Sequence, residues 1–448
     1  MKRVRRLLRE PIWIPLRSGP LHITMRHWPL LLIWVILTAF AFQTERDIFF
    51  RLSYLILAVI FLSFLWAAYS VFTFQLERRL VTPRTQVGRV AEELFLVRNS
   101  GALAKIWMEV RDESELPGHR VGRVLNGLQA GVRWSWNVRT LCRQRGRFHL
   151  GPITLASGDP FGLFVFQRRL PNTAASLTVY PMAVDLPVFA PPMGHLSGGD
   201  TQRRRTHHTT TNVVGTREYA PGDSFNRIHW RSTARTDRLI VKEFELDPSA
   251  DVWVFLDMER GVQASKPLDD GEDLSDLGQM WFGNQRTHLT PSTEEYDVSI
   301  AATVARYYLR QHRAVGLVAY GHHRELIQPD RGDRQLNRLL EVLAVLRAEG
   351  NLPFSHVLGV ESAHLGRNIT VVTVCPSADL EWIKTAREAK RRGLRVISVL
   401  TDINTFGGRG ETKAAASELF ASGIPNYVVR EGDDLRGVLG QWASGPTP

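Results

Sequence analysis

The chain has 448 residues and a formal charge of +11, from 56 Lys and Arg against 45 Asp and Glu. That length predicts two or three domains rather than one. Its two cysteines, Cys142 and Cys375, lie far apart, which excludes a disulfide framework and a cysteine-based zinc site and fits a reducing compartment.

The basic excess is uneven. Lys2, Arg3, Arg5, Arg6, Arg9, Arg17 and Arg26, with only Glu10 against them, occupy residues 1–27. A basic cluster beside an apolar stretch is a topology signal and a contact for anionic lipid. A nucleic-acid surface needs a basic face on a folded domain instead, so no specific nucleic acid is expected.

Two apolar stretches come next, Trp28–Phe42 and Ile48–Phe74, predicting a transmembrane hairpin over 28–74. Crossing takes about 20 residues, so the second is ample and the first is short. Arg51 near the start of the second stretch can snorkel to the interface. Arg26, Arg78, Arg79 and Arg84 flank the outer ends, and Gln43–Asp47 forms the turn. The positive-inside bias then places both termini and the large domains in the cytoplasm, on the inner membrane. No small-residue cleavage pattern ends the first stretch, so a retained hairpin is expected rather than a signal peptide.

From residue 75 to 192 the apolar period falls to two. Segments 87–90, 93–97, 105–110, 131–138, 146–150 and 176–180 alternate, punctuated by Asn99-Ser100-Gly101, Pro117-Gly118 and Gly151-Pro152. Short strands at this spacing predict an all-β sandwich. Asp159-Pro160-Phe161-Gly162 reads as a turn, with Phe161, Leu163, Phe164 and Phe166 as core packing. Cys142 and His149 could form a nucleophile and base, but a lone Cys and a lone His in strands are ordinary packing residues. Residues 193–214 are polar and irregular, a linker. Its Arg203-Arg204-Arg205 run is either solvated or set against phosphate or lipid head groups.

Residues 215–250 hold the densest pattern, beginning GTREYAPGDSFNRIHWRSTARTDRLIVKEFE. Arg217, Glu218, Asp223, Arg227, Trp230, Arg231, Arg235, Lys242 and Glu243 are the candidate binding residues. Pro221-Gly222-Asp223 sets a tight turn among them. Two readings fit: a half-buried network of ion pairs, or a surface for a partner or ligand. In the first, Arg231 and Arg235 pair with Glu218, Asp223 or Glu243.

This string resembles the signature of the bacterial "domain of unknown function 58" family. Ser157–Phe164 and Val179-Tyr180-Pro181 extend the resemblance, which runs over most of residues 75 to 400. It implies a von Willebrand factor A-like domain and, by analogy, a MoxR-type AAA+ ATPase as partner.

From 251 to 448 strand and helix patterns alternate. Strands are predicted at 252–257, 315–320, 369–374, 394–400 and 427–430. Helices are predicted at 294–313, 333–349, 378–392, 411–421 and 433–442. Such alternation predicts an α/β domain with a mainly parallel sheet. The resemblance implies a metal-binding Asp-x-Ser-x-Ser at the first strand end. Asp257, Met258, Glu259, Arg260 and Gly261 stand there without either serine, so no metal and no cofactor are expected. Asp257 is instead a strand-end acid held by hydrogen bonds, and Asp402 ends a later strand. Residues 262–293 form a long loop with an acidic cluster.

No phosphate-cradling GxxxxGK[ST] loop occurs, so the chain is not expected to hydrolyse ATP. The composite expectation is a multidomain, membrane-anchored, non-enzymatic adaptor. An enzyme or an anionic-ligand or lipid binder at the membrane surface is the alternative.

Overall fold

The computed structural model describes residues 12–14, 20–189, 213–220, 228–244, 251–267, 289–376 and 379–441. The acidic cluster of the 262–293 loop and the arginine run at 203–205 lie outside them. The chain divides into two compact units. One contains Met1–Ala183, Lys266–Ala302 and Arg338–Arg347; the other contains Val184–Ser265, Thr303–Asn337 and Ala348–Pro448.

The first unit begins with β1 (Ile12–Ile14), β2 (Leu21–Met25), α1 (Pro29–Thr44) and α2 (Asp47–Phe72). Then come β3 (Phe74–Leu80), β4 (Arg84–Gln86), β5 (Val90–Asn99), β6 (Lys105–Asp112), β7 (Arg123–Leu128) and β8 (Arg133–Leu141). The run closes with β9 (Gly146–Leu150), β10 (Ile153–Gly158), β11 (Phe164–Leu170) and β12 (Ala175–Tyr180). They form a six-stranded sheet in the order β1-β2-β11-β10-β6-β7 and two three-stranded sheets, β3-β5-β8 and β4-β12-β9.

Alternation decides which face is buried. In β5 the residues Ala91, Glu93, Phe95, Val97 and Asn99 all point inward. Phe95 stacks on Trp136 of β8 at 5.2 Å, and with Phe74 and Val97 they pack against Met108, Val110, Leu125, Ile153 and Leu155 of the larger sheet. Two sheets sharing one apolar core make the β-rich architecture expected from the period of two.

The apolar helices are built into this unit. β2, in the basic stretch before them, pairs with β11, so the helices interrupt a sheet. Thr38 of α1 and Ser53 of α2 share a hydrogen bond of 2.7 Å, and Phe40 meets Phe49 edge-on at 5.0 Å. The helices therefore run antiparallel. Among the described residues only α2, with 26 residues, is long and apolar enough to cross a membrane; α1 has 16.

The lower end of α2 docks on the sheet. Ile60, Ala67 and Val71 share a cluster with Leu21, Ile23, Leu163, Phe164 and Phe166. The fully buried Lys105 amine donates to the Tyr69 carbonyl at 3.3 Å and to Thr73 Oγ1. A cation suits the last turn of a helix. Burial pulls this amine down to about 8. Leu163, Phe164 and Phe166 are core residues as expected, but Phe161 is not: it is 67% exposed.

The second unit opens with β13 (Val213–Glu218), α3 (Trp230–Thr236) and β14 (Ile240–Phe244). β15 (Val252–Leu256) is next. Later come β16 (Val315–Tyr320), β17 (Arg324–Asp330), α6 (Phe354–Ala363) and β18 (Thr370–Cys375), while α4 (Thr293–Arg310) and α5 (Gly332–Val345) are divided, the first half of α4 and the second half of α5 belonging to the first unit. The chain ends with α7 (Leu380–Arg391), β19 (Arg395–Thr401), α8 (Thr412–Ala421), β20 (Asn426–Val429) and α9 (Leu435–Leu439). The sheet order is β17-β16-β15-β18-β19-β20. Only β17 is antiparallel. This is an α/β sheet whose strand order reverses between β15 and β18, the place where such sheets bind ligands beyond their carboxyl ends. Every residue of β15 and β18 is buried, as in a sheet covered on both faces. Trp382 of α7 is fully buried against Phe354, at 5.7 Å, and the β18–β19 face.

Candidate functional site

Two places in the second unit gather side chains suited to recognition or chemistry. The first is the segment carrying the sequence-predicted residues. β13 and β14 pair antiparallel, placing Arg217 opposite Val241, Thr216 opposite Lys242 and Gly215 opposite Glu243. Tyr219 N–H donates to the Leu239 carbonyl at 2.8 Å, and His229 N–H to Ile240 at 2.8 Å. Buried Ile228 and Val241 form a bridge that pins the segment.

Between these anchors lies α3. His229 caps its start, with Nδ1 accepting the Ser232 N–H at 3.2 Å. Asp237, with φ of 54°, ends it in the left-handed conformation. The helix buries none of its residues. Trp230 is 67% exposed, and Arg231 and Arg235 are exposed one turn apart on one side.

The expected pairing of Glu218 with Arg231 or Arg235 is not what forms. Glu218 Oε1 accepts from Arg238 Nη1 at 2.9 Å. The reason is the left-handed residue at 237. It turns the chain back so that Arg238 reaches β13, while the helix carries Arg231 and Arg235 outward. Both partners of the Glu218–Arg238 pair are largely solvent-exposed, so it stabilises little. Among the described residues, Arg231 and Arg235 stand on an exposed helix rather than in a half-buried network. Asp223 and Arg227, and the side chains of Arg217, Lys242 and Glu243, lie outside what the structure describes.

The second place is the switch point of the sheet. Asp257 follows β15 and Cys375 ends β18; Leu256 pairs with Val374, which sets the two side by side. Cys375 Sγ donates to Asp257 Oδ2 at 2.9 Å, and the Glu259 N–H donates to Oδ1 at 3.1 Å. Asp257 is 2% exposed, and burial raises its carboxyl to about 7. Burial also raises the carboxyl of Glu259, helped by the charge of Asp379.

The loop after Asp257 is fixed by backbone. Gly350 N–H donates to Met258 O at 2.9 Å, and Arg260 N–H to Gly350 O at 2.8 Å. A Cβ on Gly350 would sit 2.8 Å from the Met258 carbonyl, so only glycine allows this approach. Asp257 therefore is a strand-end acid held by hydrogen bonds, as its position predicts. Asp402, after β19, is held likewise: Asn404 Nδ2 donates to its Oδ1 at 3.0 Å. Among the described residues no group of three or more His, Cys, Asp or Glu side chains could hold a metal ion.

The first unit adds titratable groups that sequence reasoning missed. Arg78 Nε donates to Glu93 Oε2 at 2.6 Å, and its Nη2 to Asp112 Oδ2 at 3.1 Å. His119 Nε2 lies 3.1 Å from the same Asp112 oxygen, and all four side chains are at most 3% exposed. Burial pushes the Asp112 carboxyl up, but hydrogen bonds from His119 and Ser114 and the charge of Arg78 outweigh it and leave it lowered. Cys142 is fully buried, and burial raises its thiol to about 11, so it is a packing thiol and not a nucleophile. Arg145 is fully buried too. It pairs with Glu294 and Glu295 and donates to the carbonyls of Leu343 and Leu346 at 3.1 and 2.7 Å.

Residues 215–267 match the family model described as "Protein of unknown function DUF58". The match covers most of β13 and all of α3, β14 and β15, and so contains both the exposed helix and Asp257. The uncharacterized protein YeaD of Bacillus subtilis (strain 168) is 24% identical over 212 residues, which make up 47% of this chain and 45% of YeaD. The chain thus spans about half the length of that curated relative. Among solved structures, the CARDB domain of PF1109 from Pyrococcus furiosus covers 24% of the chain at 14% identity and a TM-score of 0.18, using 91% of that domain. A beta-glucosidase from Listeria innocua covers 24% at 10% identity and a TM-score of 0.17, using 16% of the enzyme. Overlaps this slight establish neither a shared fold nor a shared chemistry.

The segment that matches the family model holds residues that the sequence marks by position and the structure leaves exposed. Of the nine predicted residues, Trp230, Arg231 and Arg235 come together on α3, and Glu218 sits apart with Arg238. The Asp257–Cys375 pair was visible in principle, since Asp257 follows and Cys375 ends a strand of the same apolar pattern.

Proposed function

We propose that this protein is a membrane-anchored, non-enzymatic adaptor that uses the exposed helix of its DUF58 segment to bind a protein partner. The observation that carries the reading is Trp230, 67% exposed on a helix none of whose residues is fully buried. Leaving a large aromatic in water forgoes the stabilisation of burial, and Trp and Arg are both enriched among the residues that dominate protein interfaces. Exposed Arg231 and Arg235 add planar, charged groups that fork onto carboxylates of a partner.

The anchor in this reading is α1 and α2, inserted as a hairpin with both ends in the cytoplasm. Exposed Leu32, Ile33, Ile36, Phe42, Leu55 and Phe61 support it, because lipid is the solvent that suits them. The α/β sheet is read as von Willebrand factor A-like on the strength of its strand order. The partner class, a MoxR-type AAA+ ATPase, comes from the resemblance of the signature. At the switch point, Asp257 is closed off by Cys375 and the Glu259 backbone, an arrangement suited to holding a loop rather than meeting a substrate.

A photo-crosslinking residue at position 230, introduced into the full chain in its native membrane, tests the reading. An adduct with a second protein at 230, absent when the crosslinker is at exposed Leu352, is the expected result. Equal or no crosslinking at the two positions contradicts it.

A further inference from the structure

β10 and β11 are joined by Asp159-Pro160-Phe161-Gly162, and this turn is rigid. Asp159 is 2% exposed; its Oδ2 accepts the Phe161 N–H at 2.9 Å and its Oδ1 the Phe164 N–H at 2.7 Å. Gly162, at φ of 69°, closes the bend. Yet the turn holds Phe161 out, 67% exposed. A single exposed aromatic is ordinary on a protein in water. What distinguishes this one is where the turn lies.

The turn sits at the foot of the apolar helices. β11 pairs with β2, and the residue after β2, Arg26, donates its N–H to the Leu163 carbonyl at 2.9 Å just before α1 begins. Phe64 of α2 meets Phe164 at 5.5 Å and Phe166 at 5.3 Å. The other side of α2 stays apolar and exposed at this same level: Phe61 is 59%, Leu62 63% and Leu65 46% exposed.

Length sets the depth. A hydrocarbon core of ~30 Å takes about 20 helical residues. Counted from Asp47, the first residue of α2, it reaches to about residue 66. The contact between Phe64 and Phe164 falls inside that span. The turn, one step beyond Phe164 toward the helices, therefore lies within a few Å of the end of that span.

We propose that the β10–β11 turn is a second lipid-contacting element, with Phe161 inserted at the boundary of head groups and acyl chains where α1 enters the bilayer. Exposed Arg26 beside it meets the lipid phosphates. The proposal rests on the reading of α1 and α2 as a membrane hairpin. It also relieves the shortness of α1: 16 residues reach about 24 Å, and a domain seated a few Å into the interface makes up the difference.

Spin labelling of the full chain in lipid nanodiscs tests it. Cys142 and Cys375 are buried, so a cysteine introduced as Phe161→Cys takes the nitroxide selectively. A second chain carries Leu57→Cys on the hairpin. The proposal expects both labels to collide more with oxygen than with a water-soluble nickel chelate. A label at 161 that favours the nickel chelate, with the label at 57 in lipid, overturns the proposal and leaves the hairpin intact. Nickel preference at both positions removes the hairpin reading and the proposal together.

Discussion

Replacing Asp257 by Asn should make the α/β unit more stable at neutral and alkaline pH and leave it nearly unchanged in acid. The carboxyl is raised to about 7 by burial, while an unfolded Asp titrates near 3.9. Below about pH 4 both states are protonated and the group has no pH-dependent effect. As pH rises from about 4 to 7 the unfolded carboxyl ionises and the folded one does not, so stability falls. Above about pH 7 both are ionised and the loss is complete. A shift of about 3 units corresponds to at most ~4 kcal/mol. Asn has the same shape, cannot ionise, and still accepts the Glu259 N–H. The side-chain contact with Cys375 changes, which offsets part of the gain, so about 2 kcal/mol is expected at pH 8. The assay is pulse labelling of thiols in increasing urea, with Cys375 resolved by peptide mass spectrometry. The variant should raise the urea midpoint for exposure of Cys375 at pH 8 and not at pH 4. Parallel pH dependence in the two proteins would refute the argument, because Asp257 would then be titrating as it does in water.

Three further substitutions have expected outcomes on the same physical grounds. Trp230→Ala should weaken partner capture by roughly 2 kcal/mol, about 30-fold, with urea midpoints unchanged, as a binding titration would show. Asp112→Ala leaves Arg78 and His119 buried without that carboxylate and should cost about 3–5 kcal/mol in denaturant unfolding. Because the Asp112 carboxyl is lowered on folding, its contribution is present above about pH 4 and is lost as pH falls through the folded value; hydrogen exchange of β5 and β6 against pH reads this directly. Arg145→Met removes the cation that holds Glu294, Glu295 and two carbonyls, and proteolysis near residues 293 and 346 should accelerate at least tenfold.

The parts of the fold that sequence made legible are those whose order is written in local period. Strands such as β5 and β15 and helices such as α4 and α7 come from apolar spacing alone. β2 was not legible, because its partner β11 lies beyond both apolar helices and nearly the whole sandwich. β17 was hidden by Arg324 and Pro329, which an antiparallel edge strand tolerates and a central one does not. α6 was hidden by its shortness and by a glycine at 359. In the DUF58 segment the charges were legible but their partners were not. Pairing turned on one positive φ at Asp237, a conformation that the residue type permits without requiring. Phe161 was misplaced for a related reason: its apolar neighbours 163, 164 and 166 are core, and composition does not say which way a turn points.

The proposed binding of a protein partner at the membrane, through the exposed helix of the segment that matches DUF58, is open to one decisive experiment. The detergent-solubilised full chain is affinity-purified with and without ATP and Mg²⁺, beside the Trp230→Ala variant. An AAA+ ATPase should be enriched in a nucleotide-dependent way with the native chain and lost with the variant. Recovery of no such partner, or equal recovery with both chains, contradicts the adaptor role.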